Sequence, residues 1–288
     1  MDVLCVGHAS YDHVFVVPHH PGPDEKLVAS VRIGCGGGPA ANAAVTAARL
    51  GCRTGFMGYL GHDLHGQLHF DELVREGVDV RHVIRAEWPT PVSVVLVKPD
   101  GSRALVNHRA RTEFLKPAPL EGGKPGARVL LFDGHEPLLA ESLLDQAVPR
   151  VLDAGSLHAG TEALMFRVDH LVCSETFAAQ WLGGDDPRRA LAALAEQSPA
   201  VVITLGARGL IWRRGSETGQ LPAFPVAPVD TTGAGDAFHG AYAAGLAMGM
   251  AWSELLRFAS AAGAACCAVL GARPGLPDRA SLDRWLAA

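Results

Sequence analysis

The chain has 288 residues, of which 48% are hydrophobic and 19% charged, as in a folded globular protein and unlike a disordered one. Its formal net charge of −5 argues against nucleic-acid binding, which requires a basic surface. The six cysteines show no C-x-x-C spacing and predict buried, reduced thiols; with no signal-like segment and no long apolar run, we expect a cytoplasmic protein without a membrane partner.

The amino-terminal region predicts a strand, then a two-stranded ribbon. Residues 3–6 are apolar and lead to Gly7, as in a buried strand. Residues 13–18 and 26–33 are typical of an antiparallel pair. Two helices are predicted next, over residues 39–50 and 65–76.

A second ribbon is predicted near the middle of the chain. Residues 92–98 and 103–107 flank Pro99-Asp100-Gly101-Ser102, a strong turn signal. Strands that leave the main sheet twice could form a small second sheet. We expect it to cover the substrate as a lid, inserted at about residues 13–34 and 91–109.

The second half of the chain alternates short apolar runs with helical patterns, and residues 121–126 predict a loop. Strands are predicted at residues 129–132, 151–152, 171–173 and 201–204, with helices at 138–147 and 187–196. This alternation predicts an α/β fold over residues 1–288, a single domain with a mostly parallel central sheet and helices on both faces.

The most informative segment spans residues 229–240, where Gly233, Ala234 and Gly235 lead into the lone carboxylate of Asp236 and a small-residue helical pattern. Free amides at a helix N-terminus bind anions, above all phosphate. A carboxylate there would repel phosphate, but it could take a proton from an attacking hydroxyl. The segment therefore predicts phosphoryl transfer to an alcohol.

A second glycine cluster, residues 34–38, precedes an alanine-rich helix that begins with Pro39. It could be a tight turn required only for packing. It could also be a loop whose backbone approaches a ligand closely. In that second interpretation, Asn42 offers both a donor and an acceptor to a polyol.

These segments resemble the two signatures of the ribokinase-like (PfkB) carbohydrate kinases. Residues 37–43 (GGPAANA), with Arg49-Leu50-Gly51, resemble the first signature, and residues 230–238 (DTTGAGDAF) resemble the second. Further matching segments follow the family's order over essentially the whole chain. The ketohexokinase and sulfofructose kinase branches are the most similar.

The resemblance implies an ATP-dependent kinase that phosphorylates a primary hydroxyl of a small ketose or furanose, fructose- or ribose-like. Asp236 would be the general base, and the amides of Gly233, Ala234 and Gly235 would form the anion hole. The implied sugar contacts are Asp12, Gly37, Gly38, Asn42, Lys26, Asn107 and His135. The implied nucleotide contacts are Thr204, Gly206, Gly209, Thr232, Ala262 and Gly263.

The metal sites are where the chain departs from the family. The Asn-x-x-Glu motif that helps to hold magnesium waters is replaced by Ser174 and Phe177, so Glu175 is either a substitute or a helix-capping residue. Asp230 and Thr232, with residues 271–275, fall where relatives hold a monovalent cation. A potassium requirement stays open, because many relatives carry a hydroxyl at the position of Gly275.

Three alternatives remain open: a nucleoside kinase, with Tyr11, Phe15 or Phe114 as a clamp for the base; a sulfofructose kinase; and a catalytically silent sugar- or nucleotide-binding regulator. A sulfofructose kinase is expected to carry an arginine just after Phe132, where this chain has Asp133-Gly134-His135. Lys26 and Asn107 could still face an anionic group. By analogy with relatives, the lid could also form a homodimer.

Histidines give two further signals. His62, His65 and His69 have helical spacing, which fits an amphipathic helix better than a metal site. We expect His239, three residues after Asp236, to be packed or capping and not a second base.

Overall fold

The computed structural model describes residues 1–111, 113–117 and 124–287, so residues 121–123 of the predicted loop at 121–126 lie outside the described residues. The strands are β1 Val3–Gly7, β2 Ser10–Val16, β3 Val31–Gly37, β4 Thr54–Gly61, β5 Asp79–Ala86, β6 Val92–Val97, β7 Arg103–His108, β8 Val129–Phe132, β9 Arg150–Ala154, β10 His170–Ser174, β11 Ala200–Thr204, β12 Leu210–Arg214 and β13 Glu217–Leu221. The helices are α1 Pro39–Arg49, α2 Leu64–Arg75, α3 Pro137–Glu141, α4 Ala159–Leu164, α5 Glu175–Leu182, α6 Pro187–Leu194, α7 Ala234–Met248, α8 Trp252–Cys267, α9 Ala272–Gly275 and α10 Arg279–Ala287.

The larger sheet has nine strands in the order β13-β12-β11-β10-β9-β8-β1-β4-β5. Its strands are parallel from β11 through β5, and the β12–β13 hairpin adds an antiparallel edge. Every residue of β1, β4 and β8 is buried. Strands covered on both faces bury all their side chains, so the predicted mostly parallel central sheet is confirmed.

Helices cover both faces of this sheet, as predicted. Val3 and Cys5 of β1 contribute to the core shared with α1, α7 and α8. Leu4 and Val6 point the other way, into the core shared with α3 and α5. Alternate residues of one strand therefore anchor two separate helical layers.

The smaller sheet has four strands in the order β3-β2-β6-β7. The β2–β3 and β6–β7 pairs are antiparallel, as predicted, and the central β2–β6 pair is parallel. Gly101, with φ of +76°, closes the predicted turn of the second ribbon, where the Lys98 amide donates to the Ser102 carbonyl at 2.9 Å.

Several predicted elements differ from the structure in extent, among them β2, which spans Ser10–Val16 where residues 13–18 were predicted. Strand β3 spans Val31–Gly37, where residues 26–33 were predicted, because the glycines of the cluster extend and pair with Ser10, Tyr11 and His13. Helix α3 stops at Glu141, where residues 138–147 were predicted. After it the amides of Leu143, Leu144 and Gln146 bond three residues back, which tightens the chain into turns. Among the described residues, none of the helices is long and apolar enough to cross a bilayer.

Candidate active site

The centre of the site is the first turn of α7. Gly233 precedes the helix with φ of +80°, a backbone conformation that favours glycine. Gly235 is exposed, and a Cβ there would meet no atom within 4 Å. Asp236 is half-buried in the same turn. The open side of Gly235 therefore lies beside a carboxylate that solvent can reach, while the Ala234 amide makes a long hydrogen bond to the Thr231 carbonyl at 3.4 Å.

Close packing of α1 against α7 brings the two predicted signatures together. A Cβ at Gly240 would lie 2.5 Å from the Ala43 carbonyl oxygen, so only glycine allows this approach. Across the contact, Nδ2 of Asn42 donates to Oδ2 of Asp236 at 2.7 Å. The predicted sugar-contacting amide and the predicted base are therefore direct partners.

The glycine turn before α1 requires its glycines. A Cβ at Gly37 would overlap the Asp12 carboxylate. Gly38 has φ of +92°, and a Cβ there would lie 2.6 Å from both Cα of Ala9 and the His8 carbonyl oxygen. These contacts account for the glycines by packing, and they also place Asp12 beside the turn that leads to Asn42.

The smaller sheet presents one row of polar residues to the site. Asp12 of β2 pairs in register with Ser93 of β6, which pairs with Asn107 of β7, so the three lie on one face. Asp12 is buried and accepts from the Ser10 hydroxyl at 2.8 Å, whereas Asn107 is exposed. Lys26 is exposed in the segment between β2 and β3, and the structure does not place it in this row.

An arginine of the smaller sheet contacts the loop before α7. Arg103 donates from Nη1 to the Thr231 hydroxyl at 2.7 Å. The turn at Gly101 packs against the Pro228 carbonyl. The sheet therefore contacts the segment that leads into the anion-binding turn.

Burial dominates the electrostatics of both carboxylates. Desolvation raises the pKa of Asp236, and the hydrogen bond from Asn42 and the nearby His239 oppose that rise. Desolvation likewise raises the pKa of Asp12, with the Asp236 charge adding to the effect. A carboxylate whose pKa lies nearer neutrality is a better proton acceptor than an ordinary aspartate.

His239 lies beneath this turn and is packed, as expected. Its Nδ1 is 2.7 Å from the Gly235 carbonyl oxygen and 3.2 Å from Oδ2 of Asp153, and its Nε2 is 3.1 Å from the Val172 carbonyl oxygen. Burial raises the pKa of Asp153 to about 7. His239 and Asp153 thus form a buried pair that supports the helix end from inside.

The predicted nucleotide residues separate into two groups. Thr204 ends β11, and Gly206 and Gly209 follow with φ of +58° and +89°. A Cβ at Gly206 would meet nothing within 4 Å, so this strand-end loop leaves room for a ligand. Ala262 is fully buried in the α7–α8 core, so its side chain packs and does not face a cleft, while Gly263 is half-buried.

The predicted metal residues have protein partners. Glu175 pairs with Arg208 at an exposed position. Asp230 accepts from the amides of Thr232 at 2.8 Å and Gly271 at 2.9 Å, which joins the two loops of the predicted monovalent-cation region. A Cβ at Gly275 would lie 2.7 Å from the Cys266 carbonyl oxygen, so a hydroxyl side chain does not fit there.

The donor set fits a magnesium ion carried by a nucleotide better than a cage made by the protein. Within residues 1–111, 113–117 and 124–287, no three His, Cys, Asp or Glu side chains converge to hold a metal ion. Mg²⁺ is commonly held by one or two carboxylates, waters and substrate phosphates. Glu175, in the first turn of α5, is a partly exposed carboxylate that would have to leave Arg208 to take such a role.

Comparison with known proteins decides the family. Residues 1–279 match the profile of the pfkB family carbohydrate kinases. The chain belongs to this family. It is therefore an ATP-dependent carbohydrate kinase, as the sequence predicted.

Ribokinases are among its relatives. The chain is 31% identical to a ribokinase of Arabidopsis thaliana over 99% of this chain and 80% of that protein. The structure of Arabidopsis thaliana ribokinase complexed with ribose and ATP superposes with a TM-score of 0.84 at 29% identity, covering 100% of this chain and 99% of the other. Ribokinase from Thermotoga maritima gives 0.84 at 25% identity, covering 100% of both chains. The similarity to the ketohexokinase and sulfofructose kinase branches stays a prediction.

One pfkB site residue was missed from the sequence. Arg273 is 1% exposed, donates from Nε to Oδ1 of Asn42 at 3.2 Å and lies 3.1 Å from Nε2 of His69. A single arginine in the short segment 271–275 has no periodicity or spacing that would predict this contact. The buried His69 bonds to Arg273, while His65 stacks on Tyr11 with ring centroids 4.8 Å apart.

Proposed function

We propose that this kinase transfers the terminal phosphoryl group of ATP to a primary hydroxyl of a small ketose or furanose, fructose- or ribose-like. Asp236 acts as the general base. The observation that carries the proposal is the 2.7 Å contact from Asn42 to Asp236 in the first turn of α7. It joins a sugar-binding group, a base and an anion site within one cleft.

The proposed acceptor lies between Asp12 and Asn42, with its hydroxyl directed at Asp236. Asn42 donates one amide hydrogen to the base and keeps that carboxylate oriented. As the hydroxyl attacks, Asp236 takes its proton, and the amides of Gly233, Ala234 and Gly235 stabilise the charge on the transferring phosphoryl. Loss of one such donor typically costs about 10²–10³ in rate.

We further propose that Mg²⁺ enters with the nucleotide and that Glu175 holds one of its waters. The ion would neutralise phosphate charge during transfer. Thr204, Gly206 and Gly209 border the proposed phosphate path, and Thr232 and Gly263 line the nucleotide side. Two observations argue against a strict potassium requirement: the Asp230 carboxylate already accepts two backbone amides, and a hydroxyl side chain has no room at Gly275.

An ADP-release assay across an acceptor panel of ribose, fructose, sulfofructose and nucleosides tests the proposal. Sugar-dependent release is expected, and Asp236→Asn should reduce it by at least about 10². Asp71→Asn is the matched control, because Asp71 is an exposed carboxylate on α2. Normal turnover by the Asp236 variant would refute the mechanism.

The same panel separates the alternative functions. Phe114 is 42% exposed beside the cleft, which keeps a nucleoside acceptor in the test. Faster turnover of nucleosides than of free sugars would establish a nucleoside kinase. If no acceptor stimulates ADP release while a sugar or nucleotide still binds, the protein is a silent regulator and the proposed function fails.

We also propose that two copies pair through the smaller sheet. Strand β7 is an edge strand, and Leu105 and Val106 on it are 44% and 68% exposed. Exposed edges with apolar residues favour pairing. Sedimentation of the wild type and a Val106→Lys variant tests this: a wild-type monomer would contradict the dimer.

A further inference from the structure

A cavity of about 90 Å³ lies beside the proposed sugar site and takes no part in the mechanism above. Its walls include Gly7 at the end of β1, His8 and Ala9 after it, His135 after β8, and Arg109 after β7. Gly38 packs against the His8–Ala9 backbone, so only the glycine turn separates this cavity from Asn42 and Asp236. A sugar held at Asp236 could therefore extend into the cavity.

Nitrogen-bearing side chains converge on this cavity. Nη1 of Arg109 is 3.3 Å from Nδ1 of His135. The His135 ring stacks on His158, with centroids 4.7 Å apart and planes within 3°, and its edge contacts His8 at 5.2 Å. Because the guanidinium donates to Nδ1, the proton of a neutral His135 lies on Nε2, which remains a donor.

The charges of Asp133 and Glu136 oppose the lowering of the Arg109 pKa by burial, but neither carboxylate forms an ion pair with Arg109. Its neighbour Arg111 pairs with Glu136, but Arg109 forms no ion pair within the part of the chain that the structure describes. Arg109 follows Asn107 by two residues and so continues the polar row of the smaller sheet beyond β7. An arginine so placed is suited to bidentate recognition of an anion.

The carboxylates near the cavity either accept hydrogen bonds from the protein or lie at the rim of the cavity. Asp133 accepts three backbone amides, from His8 at 2.7 Å, Ala40 at 3.2 Å and His135 at 2.9 Å. Glu136 accepts from the Leu115 amide at 2.8 Å as well as pairing with Arg111. Glu113 lies exposed at the rim. Together they leave Arg109 and the imidazoles as the free polar groups.

The histidines of this cavity stay neutral unless an anion binds beside them. Burial lowers the pKa of His8 and His135, and that of His158 to about 4, and the Arg109 charge lowers all three further. Asp133 and Asp236 act in the opposite direction on His135. The ionisable groups that face His135 are His8, Arg109, Arg111, Glu113, Asp133, Glu136, His158 and Asp236. A bound anion would favour proton uptake by the imidazoles.

We propose that the acceptor carries an anionic group, a carboxylate, sulfonate or phosphate, at the end remote from the phosphorylated hydroxyl. Arg109 binds this group, with His135 and His8 as further donors. This inference rests on the proposed function and narrows its substrate class. Arg109 is the cation that the sequence lacked next to Phe132, supplied instead from the smaller sheet.

The test compares matched acceptors: fructose bearing a hydroxyl, a sulfonate or a phosphate at carbon 6, and a 2-keto aldonate, with ribose as a second neutral sugar. Wild type should use at least one anionic acceptor with a kcat/KM about 10- to 100-fold above fructose, the range of a charge-assisted hydrogen bond. Arg109→Gln should remove this preference. Arg32→Gln, which removes a lid guanidinium lying 3.4 Å from Nδ1 of His13, is the matched control.

A pH series adds a second measurement. Since the imidazoles are neutral in the free enzyme and take up a proton with the bound anion, the KM of the preferred anionic acceptor should rise as pH increases, whereas the KM of fructose should stay nearly constant. The inference is overturned if wild type uses fructose or ribose with a kcat/KM equal to or above that of every anionic acceptor. It is also overturned if Arg109→Gln lowers kcat/KM equally for all acceptors. Those results leave the proposed function intact, whereas the absence of acceptor-dependent ADP release from the whole panel refutes both.

Discussion

Arg273 donates a hydrogen bond from Nε to Oδ1 of Asn42 at 3.2 Å. This contact leaves Nδ2 of Asn42 directed at Asp236, so a fully buried guanidinium fixes the amide that faces the base. Its Nη1 lies 3.6 Å from Oε2 of Glu72. A cation, an amide and a carboxylate thus form one chain from the interior to the cleft.

Removal of this cation should destabilise the protein. Arg273→Gln should lower the free energy of unfolding by about 3–5 kcal/mol, because Glu72 and Asn42 lose a buried partner. Urea denaturation measures the change. Arg284→Gln, at an exposed site on α10, should stay within about 0.5 kcal/mol. Equal losses in both variants would show that Arg273 has no special role.

Loss of the Asn42 amide should shift the acidic limb of activity. Asn42→Leu deprives the Asp236 carboxylate of a donor that stabilises its charged form, so its already raised pKa should rise further. Because the base must be ionised, kcat/KM should then fall at a higher pH than in wild type. Thr46→Val, one turn further along α1, is the control. An unshifted limb in the Asn42 variant would contradict the role of Asp236 as the titrating base.

The buried Asp153 should make stability depend on pH. Its pKa is raised to about 7, so between about pH 4 and 7 the folded chain keeps a proton that the unfolded chain loses. Stability from this group therefore falls as pH rises. Asp153→Asn should gain up to about 4 kcal/mol over wild type across that interval. Urea titrations at several pH values measure the difference, with the exposed Asp283→Asn as control, and a pH-independent difference would be contrary to expectation.

A substitution at Gly235 should lower activity without affecting folding. A Cβ there meets nothing in the protein within 4 Å, so Gly235→Ala should fold with nearly unchanged thermal stability. The same methyl group would enter the space in front of the helix amides, so kcat should fall by about 10² or more. Gly184→Ala, also without neighbours within 4 Å, should affect neither property. Normal turnover by the Gly235 variant would place the phosphoryl elsewhere.

The sequence predicted those site residues that have local signals. Asp236 and Asn42 each follow glycines at the start of a small-residue helix, and the structure places them in contact. The roles of Arg273 and Arg109 could not be predicted, because each arginine contacts residues that are distant in sequence and become neighbours only in the folded chain. Lys26 was predicted as a sugar contact from its place in the family pattern, yet it is exposed between β2 and β3.

The elements of the fold were likewise predicted only where the local sequence is distinctive. Apolar runs predicted β1 and β8 to within a residue, because strands covered on both faces have an unambiguous composition. Strand β3 was misplaced, because its glycines carry no pattern and pair only when β2 lies beside them. The pairing of β2 with β6 joins segments far apart in sequence, and no local rule could supply it.

The parallel pairing of β2 with β6 also determines when β2 can be covered during synthesis of the chain. Val14 of β2 is 1% exposed and packs with Val95 and Val97 of β6, with Ile33 and Leu270 against the same cluster. A growing polypeptide must add the residues between these strands first, roughly 4–16 s of translation at ordinary rates. Throughout that interval the first ribbon has an uncovered apolar face, which makes the nascent chain at this stage a natural client for chaperones.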